Sequence, residues 1–374
     1  MSAPTPALLP SRATPEGTAA YAARLRGRAA SGHFRQAQGL TLSSSGMGSY
    51  LGEADAADDA GYRAAAMEAV RLGCNFIDTA INYRFQRSER ALGSAITALV
   101  ASAEARREEL VVATKGGYIP FDGGPPGDPQ RWLHDTFVRP GIAGAGDIVA
   151  GCHCMTPAYL EHQLDCSRRN LGIECLDVYY IHNPEQQLDE VPRPEFLRRL
   201  RAAFERLEKL AGEGRLQFYG TATWNGYRVR PGSREHLDLA EIVEIARQVA
   251  GERHRMRFVQ APLNLAMPEA VVEPTQKRDG RGASLLEAAR DLGINVVASA
   301  SILQGRLARG LPESVRQRLP GFASDALLSL QFARSAPGLT SALVGMKRLE
   351  HVRENLGLAA IEPLAADQFH KAFL

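Results

Sequence analysis

The chain has 374 residues, 45% hydrophobic and 23% charged, enough to bury a large core and incompatible with a mostly disordered polypeptide. Lys and Arg number 44 against 42 Asp and Glu, leaving +2, so no bulk field selects nucleic acid or an anionic membrane surface. No run approaches the ~20 apolar residues that span a bilayer. The first residues show no secretory pattern, and the 5 cysteines are sparse and odd in number, which points to a cytoplasmic protein.

Residues 1–33 are rich in Ala, Pro, Ser and Arg without an apolar period, and read as a poorly ordered extension. From Phe34 onward, short apolar runs alternate with amphipathic stretches. Strand-like runs fall at Leu40–Leu42 with Met47 nearby, Asn75–Asp78, Leu110–Thr114, Leu176–His182, Leu216–Gly220, Phe258–Gln260, Ile294–Ala298 and Ser341–Val344. Several lack polar alternation, as parallel strands buried on both faces do. Helical patterns lie between them. Ala64–Leu72 stops at Gly73, Ser88–Val100 follows the second run, and Pro157–Leu171 is bracketed by Thr156 and Gly172. Phe196, Leu200, Phe204, Leu207 and Leu210 form one face of a further helix, closed by Gly212 and Gly214.

About eight strands, with helices between most of them and no composition break, favour a single-domain α/β fold, a (β/α)₈ TIM barrel over residues 34–374. The alternative, a doubly wound sheet, needs a glycine-rich turn after an early strand, and the chain has no G-x-G-x-x-G. Residues 116–156 interrupt the alternation with closely spaced Gly and Pro and with Trp132 and Phe137. Because a strand precedes it, a barrel places this insertion loop on the C-terminal face, where it is expected to roof the substrate site.

Four polar residues stand at the carboxyl ends of three successive strands: Asp78 and Tyr83, then Lys115, then His182. Taken singly, each has a structural explanation: a packed aromatic, a solvated strand end, a turn cap, a core histidine. As a set they occupy equivalent positions of a repeating unit and would converge in a barrel mouth. A Lys beside a Tyr lowers the phenol's pKa, and an Asp keeps the Lys charged and oriented. The Tyr can then give a proton to a carbonyl oxygen, or take one back, while a His donates a hydrogen bond to that oxygen.

At these residues the chain resembles the aldo-keto reductase family. Phe76-Ile77-Asp78-Thr79-Ala80-Ile81-Asn82-Tyr83 followed by Ser88-Glu89-Arg90-Ala91-Leu92-Gly93 is similar to that family's signature around its catalytic Asp and Tyr. Val112-Ala113-Thr114-Lys115 is similar to the strand bearing its Lys, and Leu176 through Pro184 to the strand bearing its His. The resemblance runs from about Gly39 to Leu356. It implies a (β/α)₈ barrel, NADP(H) or NAD(H) as cofactor, and interconversion of an aldehyde or ketone with its alcohol or sugar hydroxyl, an alcohol dehydrogenase-type activity. It assigns Tyr83 as general acid/base, Lys115 and Asp78 as its tuners, and His182 as the donor that orients substrate.

The resemblance also implies a cofactor site. Gln260 falls at its nicotinamide half, Gly345, Lys347, Arg348, His351, Glu354 and Asn355 at its adenosine half, and Gly48 is a further cofactor-binding residue. Glu354 and Asn355 match the positions that hold adenine. Lys347 and Arg348 suit a 2′-phosphate, but His351 stands where many members place an Arg, so NADP(H) is preferred and NAD(H) remains possible. Ala222 and Thr223 replace the usual Ser-Asn pair for the nicotinamide amide, and Ser299 the usual stacking aromatic. Trp132, His153 and Trp224 are candidates for shaping the substrate pocket by position alone.

Cys152-His153-Cys154 lacks the spacing of common zinc sites and has no second pair, so no metal is expected. Partners are limited to a small carbonyl or alcohol substrate, with no nucleic acid and no membrane, and the chain suits a monomer or a homo-oligomer equally. Two other functions fit the same residues: a nucleotide-binding regulatory or scaffold barrel without turnover, and an isomerase or lyase that uses bound cofactor for transient redox chemistry.

Overall fold

The computed structural model, which describes residues 7–278 and 280–373, turns the apolar runs into strands whose residues are almost all buried. In chain order these are β1 (Ser45–Gly48), β2 (Phe76–Asp78), β3 (Val111–Gly116), β4 (Leu176–His182), β5 (Leu216–Ala222), β6 (Met256–Pro262), β7 (Asn295–Ser299) and β8 (Leu339–Gly345). Each pairs in parallel with its sequence neighbours, and β8 pairs with β1 to close the barrel. The outer layer comprises α1 (Ala56–Arg71), α2 (Arg87–Ala101), α3 (Pro157–Leu171), α4 (Arg193–Gly212), α5 (Leu239–Ala250), α6 (Leu285–Asp291), α7 (Asp325–Ser335) and α8 (Leu349–Leu356). This is the (β/α)₈ architecture that the alternation predicted.

The helix ends follow from local chemistry. Asp55 caps α1 by accepting the Asp58 N–H at 2.8 Å. Gly172 ends α3 in the left-handed region, at φ 68°. Inside the barrel, Phe76, Val111, Val178, Tyr180, Phe258, Val297 and Leu343 form one cluster.

The same cluster holds Leu40 and Leu42, and this corrects the expected first strand. Those residues belong to an antiparallel hairpin, Phe34–Ala37 with Leu40–Ser43, outside the barrel sheet. β1 is instead the short, glycine-containing Ser45–Gly48, whose weak apolar pattern hides it beside the stronger Leu40–Leu42 run.

The extension expected to lack order is packed over its described part. Thr14 accepts the Gly17 N–H at 3.0 Å and starts a helix, Pro15–Arg24. Buried Tyr21 on that helix donates to the Val70 carbonyl. Ala13 N–H donates to Asp177 Oδ1 at 2.7 Å. A few buried anchors thus order a segment whose composition alone suggests a loose arm.

The insertion is also ordered, around its own cluster of Phe137, Ala143, Cys154 and Tyr159. Its ends are tied by Ile119 N–H to the Cys152 carbonyl at 2.7 Å and Cys154 N–H to the Gly117 carbonyl at 2.9 Å. Phe137 meets Tyr159 and His162 of α3 edge-on, with ring centroids 5.1 and 5.8 Å apart. The segment therefore leans on the outer helices, and of its residues only Tyr118, just past β3, lines the cavity at the barrel mouth.

Candidate active site

Residues just past the strands line a cavity of about 1040 Å³. Asp78, Tyr83 and His182 all face it. Lys115 lies beneath, its Nζ donating to Asp78 Oδ1 and to the Thr79 carbonyl, the latter at 2.7 Å. Asp78 Oδ2 accepts from Gln260 Nε2 at 2.9 Å. The ammonium sits 5.1 Å from the Tyr83 ring centroid. Tyr83 and His182 meet edge-on with centroids 5.8 Å apart. The structure thus brings the four strand-end residues together.

Tyr83 is held by unusual backbone. Arg84, Phe85 and Gln86 all adopt positive φ, at 48°, 55° and 69°, a left-handed turn that side chains resist. Arg84 anchors it, donating to the Glu53 carbonyl at 2.8 Å and to Asp59 Oδ1 at 2.8 Å. Among the described residues, the Tyr83 hydroxyl has no hydrogen-bond partner.

The electrostatics depart from the expected scheme. Lys115 is engaged by Asp78 and the Thr79 carbonyl, and its charge does not offset the burial of the Tyr83 phenol. Burial pushes the phenol well above its ordinary value, and the Asp78 carboxylate adds to the effect. Burial likewise raises Asp78 and lowers Lys115, each opposed by the other's charge. His182 is held well below its usual range by burial and then by the Lys115 charge. The site at neutral pH therefore offers a protonated phenol beside a neutral imidazole.

Of the proposed pocket shapers, Trp224 lines the cavity, whereas Trp132 and His153 do not. Trp132 is turned into the insertion, against Phe121 and Phe137. His153 is fully buried behind β4, where its Nε2 bonds the His182 carbonyl at 2.7 Å and its Nδ1 meets Gln187 Nε2 at 2.9 Å. Both were assigned by their place in the insertion, which packs sideways. The sequence did not reveal Tyr50 and Tyr118, although both lie just past strands. Tyr50 sits edge-on to Tyr83 at 5.0 Å and Tyr118 to His182 at 5.1 Å.

The expected cofactor residues Gly48, Gln260, Gly345, Lys347, Arg348, His351, Glu354 and Asn355 all line the same cavity. Two observations test whether it suits a long polar ligand. Five lining atoms are buried without a partner among the described residues: Asn82 Oδ1, His182 Nδ1, Thr223 Oγ1, Ser301 Oγ and Asn355 Oδ1. Such atoms cost free energy unless something pairs with them. A Cβ built on Gly345 would meet no protein atom within 4 Å, so the bare backbone leaves room for close approach. The residues fit a dinucleotide.

Comparison with known proteins agrees with this geometry. A family profile described as the aldo/keto reductase family matches residues 44–317. The chain belongs to that family. An uncharacterized oxidoreductase, YqkF, from Bacillus subtilis is 25% identical over 305 residues, covering 80% of this chain and 83% of that protein. The NADH-specific methylglyoxal reductase of Escherichia coli is 26% identical over 176 residues, covering 47% and 44%. The solved aldo-keto reductase AKR11C1 from Bacillus halodurans superposes with a TM-score of 0.60 at 20% identity, covering 91% of this chain and 94% of that one. The aldo/keto reductase of Klebsiella pneumoniae, solved with NADP and acetate, gives 0.57 at 19%, covering 92% and 94%. These structural likenesses establish the shared fold. Among the described residues, no helix is long and apolar enough to cross a membrane.

Within this aldo/keto reductase, Glu185 positions the Trp224 loop. Its Oε1 accepts the backbone N–H groups of Trp224, Asn225 and Gly226 at 2.9, 3.0 and 3.1 Å. Its Oε2 is buried without a partner among the described residues. Burial raises the carboxyl from 4.5 to about 7. The folded chain holds this proton more tightly than the unfolded chain. The associated stability is therefore complete below pH 4.5 and lost as pH rises through about 7. The loss is on the order of 3 kcal/mol. Glu185→Gln keeps an acceptor for the three amides and should flatten that slope in urea titrations at a series of pH values.

Proposed function

We propose that this chain is an oxidoreductase that uses a nicotinamide dinucleotide to interconvert a small aldehyde or ketone and its alcohol. NADP(H) is preferred and NAD(H) accepted. The observation that carries the reading is the meeting, at one cavity, of a protonated phenol, a neutral imidazole and a buried Lys–Asp pair. The names of two relatives support the cofactor pair: a fission-yeast aldo-keto reductase carries NADP(+) in its name, and the bacterial methylglyoxal reductase is NADH-specific.

When bound, the reduced dinucleotide supplies hydride to the carbonyl carbon. Tyr83 Oη holds the proton for the carbonyl oxygen, and its raised pKa keeps it loaded at neutral pH. The alkoxide formed on the substrate is a stronger base than phenolate, so the transfer runs downhill. Lys115, over the ring face, steadies the charge left behind. His182, neutral, donates to the same oxygen without competing as an acid. Gln260 and Thr223 would hold the nicotinamide amide, Gly48 and Gly345 would lie along the dinucleotide, and Glu354 and Asn355 would take the adenine. Lys347, Arg348 and His351 face the ribose end. Tyr50, Tyr118 and Trp224 give the carbonyl's substituent an aromatic wall.

The test is a fluorescence titration with NADPH and NADH after any carried-over nucleotide is removed, followed by addition of aldehydes and ketones. Saturable binding, tighter for NADPH, and carbonyl-dependent consumption support the proposal. Absence of binding for both dinucleotides, oxidised or reduced, would remove it.

A further inference from the structure

Lys347 follows β8 by two residues, and Asp58 lies in the first turn of α1. Lys347 Nζ donates to both carboxylate oxygens of Asp58, at 2.8 and 2.6 Å. Asp58 Oδ2 also accepts the Glu53 N–H at 2.5 Å. The pair joins the segments that leave neighbouring strands, whose ends Gly48 and Gly345 are in register. Two glycines make room for it. Gly52 adopts φ +124°, and a Cβ there would collide with Asp58 Oδ2 and lie 3.4 Å from Lys347 Nζ. A Cβ on Gly61 would stand 3.0 Å from the Lys347 carbonyl. The ion pair is therefore built into the backbone of the cavity's ribose end.

We infer that Asp58 determines the dinucleotide selectivity of this chain, by holding the Lys347 ammonium away from a ligand's 2′-phosphate. The inference rests on the function proposed above and names a residue that its motifs do not mark. A 2′-phosphate brings close to two negative charges, where a ribose hydroxyl brings none. A lysine already paired offers such a phosphate less, and the Asp58 carboxylate repels it. If Lys347 turns to the phosphate, Asp58 loses its cation beside a new anion. Both routes penalise NADPH and spare NADH. Among the described residues Arg348 pairs only with exposed Glu350, at 3.3 Å, and can still favour the phosphate, so the native preference is modest.

The experiment is a titration of the intact chain and its variants with NADPH and NADH. Asp58→Asn keeps an acceptor for the Glu53 N–H, and Asp58→Ser is a second variant should the first fail to fold. The ratio of the NADH Kd to the NADPH Kd should rise about tenfold over the native ratio. Adding Lys347→Met to either variant should abolish the rise. An unchanged or falling ratio in the folded variants overturns the inference while the proposed function stands. A native chain that binds neither dinucleotide overturns both.

Discussion

Tyr83→Phe is expected to reduce carbonyl turnover by about 10²–10⁴-fold, the usual worth of a positioned general acid. Dinucleotide affinity should stay within about twofold, since uniform binding is unaffected when a transition-state contact is removed. The substitution deletes one hydroxyl and keeps the ring. Its edge contacts with Tyr50 and His182 and its place under the Lys115 ammonium are preserved. Because the hydroxyl has no protein partner among the described residues, the melting temperature should hardly move. Single-turnover consumption of bound NADPH after mixing with aldehyde separates chemistry from product release. The same variant distinguishes the other functions: a nucleotide-binding scaffold would show no turnover to lose, and its partner binding would survive. The pH dependence has a definite sign. With the phenol held well above its ordinary pKa, carbonyl reduction should keep its acid across neutral pH, while alcohol oxidation, which needs the phenolate, should accelerate as pH rises.

The barrel was legible because its strands are buried on both faces. Leu176–His182 and Ser341–Val344 lack the alternation of a solvent-facing strand, and the charged Asp177 within the first is buried against Arg107. β1 was not, because Gly46 and Gly48 give it little apolar signal and the adjacent Leu40–Leu42 run is stronger. The four strand-end residues could be found by position. Their charge balance could not, since it depends on Lys115 donating to Asp78 and the Thr79 carbonyl rather than to the phenol. Trp132 and His153 show the same limit. Sequence places them in an insertion after β3, but the side on which that insertion packs is decided by Phe137 against Tyr159 and His162 of α3. The Lys347–Asp58 pair joins residues 289 positions apart and has no local signature at all.

Lys115→Met should cost about 3–5 kcal/mol of stability, the usual penalty for stranding one member of a buried pair. Lys115 and Asp78 side chains are only 1% and 4% exposed, so water cannot replace the missing ammonium. Asp78 would keep Gln260 Nε2 as a donor but lose its cation, and the Thr79 carbonyl would lose its partner. The stranded carboxyl would take up a proton. Its folded pKa, already raised by burial, would rise further, so the variant should lose stability as pH rises through that pKa. Asp78→Asn with Lys115→Met removes both charges. If the penalty is mainly the uncompensated carboxylate, the double variant should be more stable than Lys115→Met alone, and a urea-denaturation cycle over the four proteins measures the coupling. Turnover should follow a different course. Without the ammonium over the Tyr83 ring, the phenolate left by proton transfer is unsupported, so the double variant should recover its fold and not its activity. Recovery of both would make the pair a packing device, and recovery of stability alone assigns it to the chemistry.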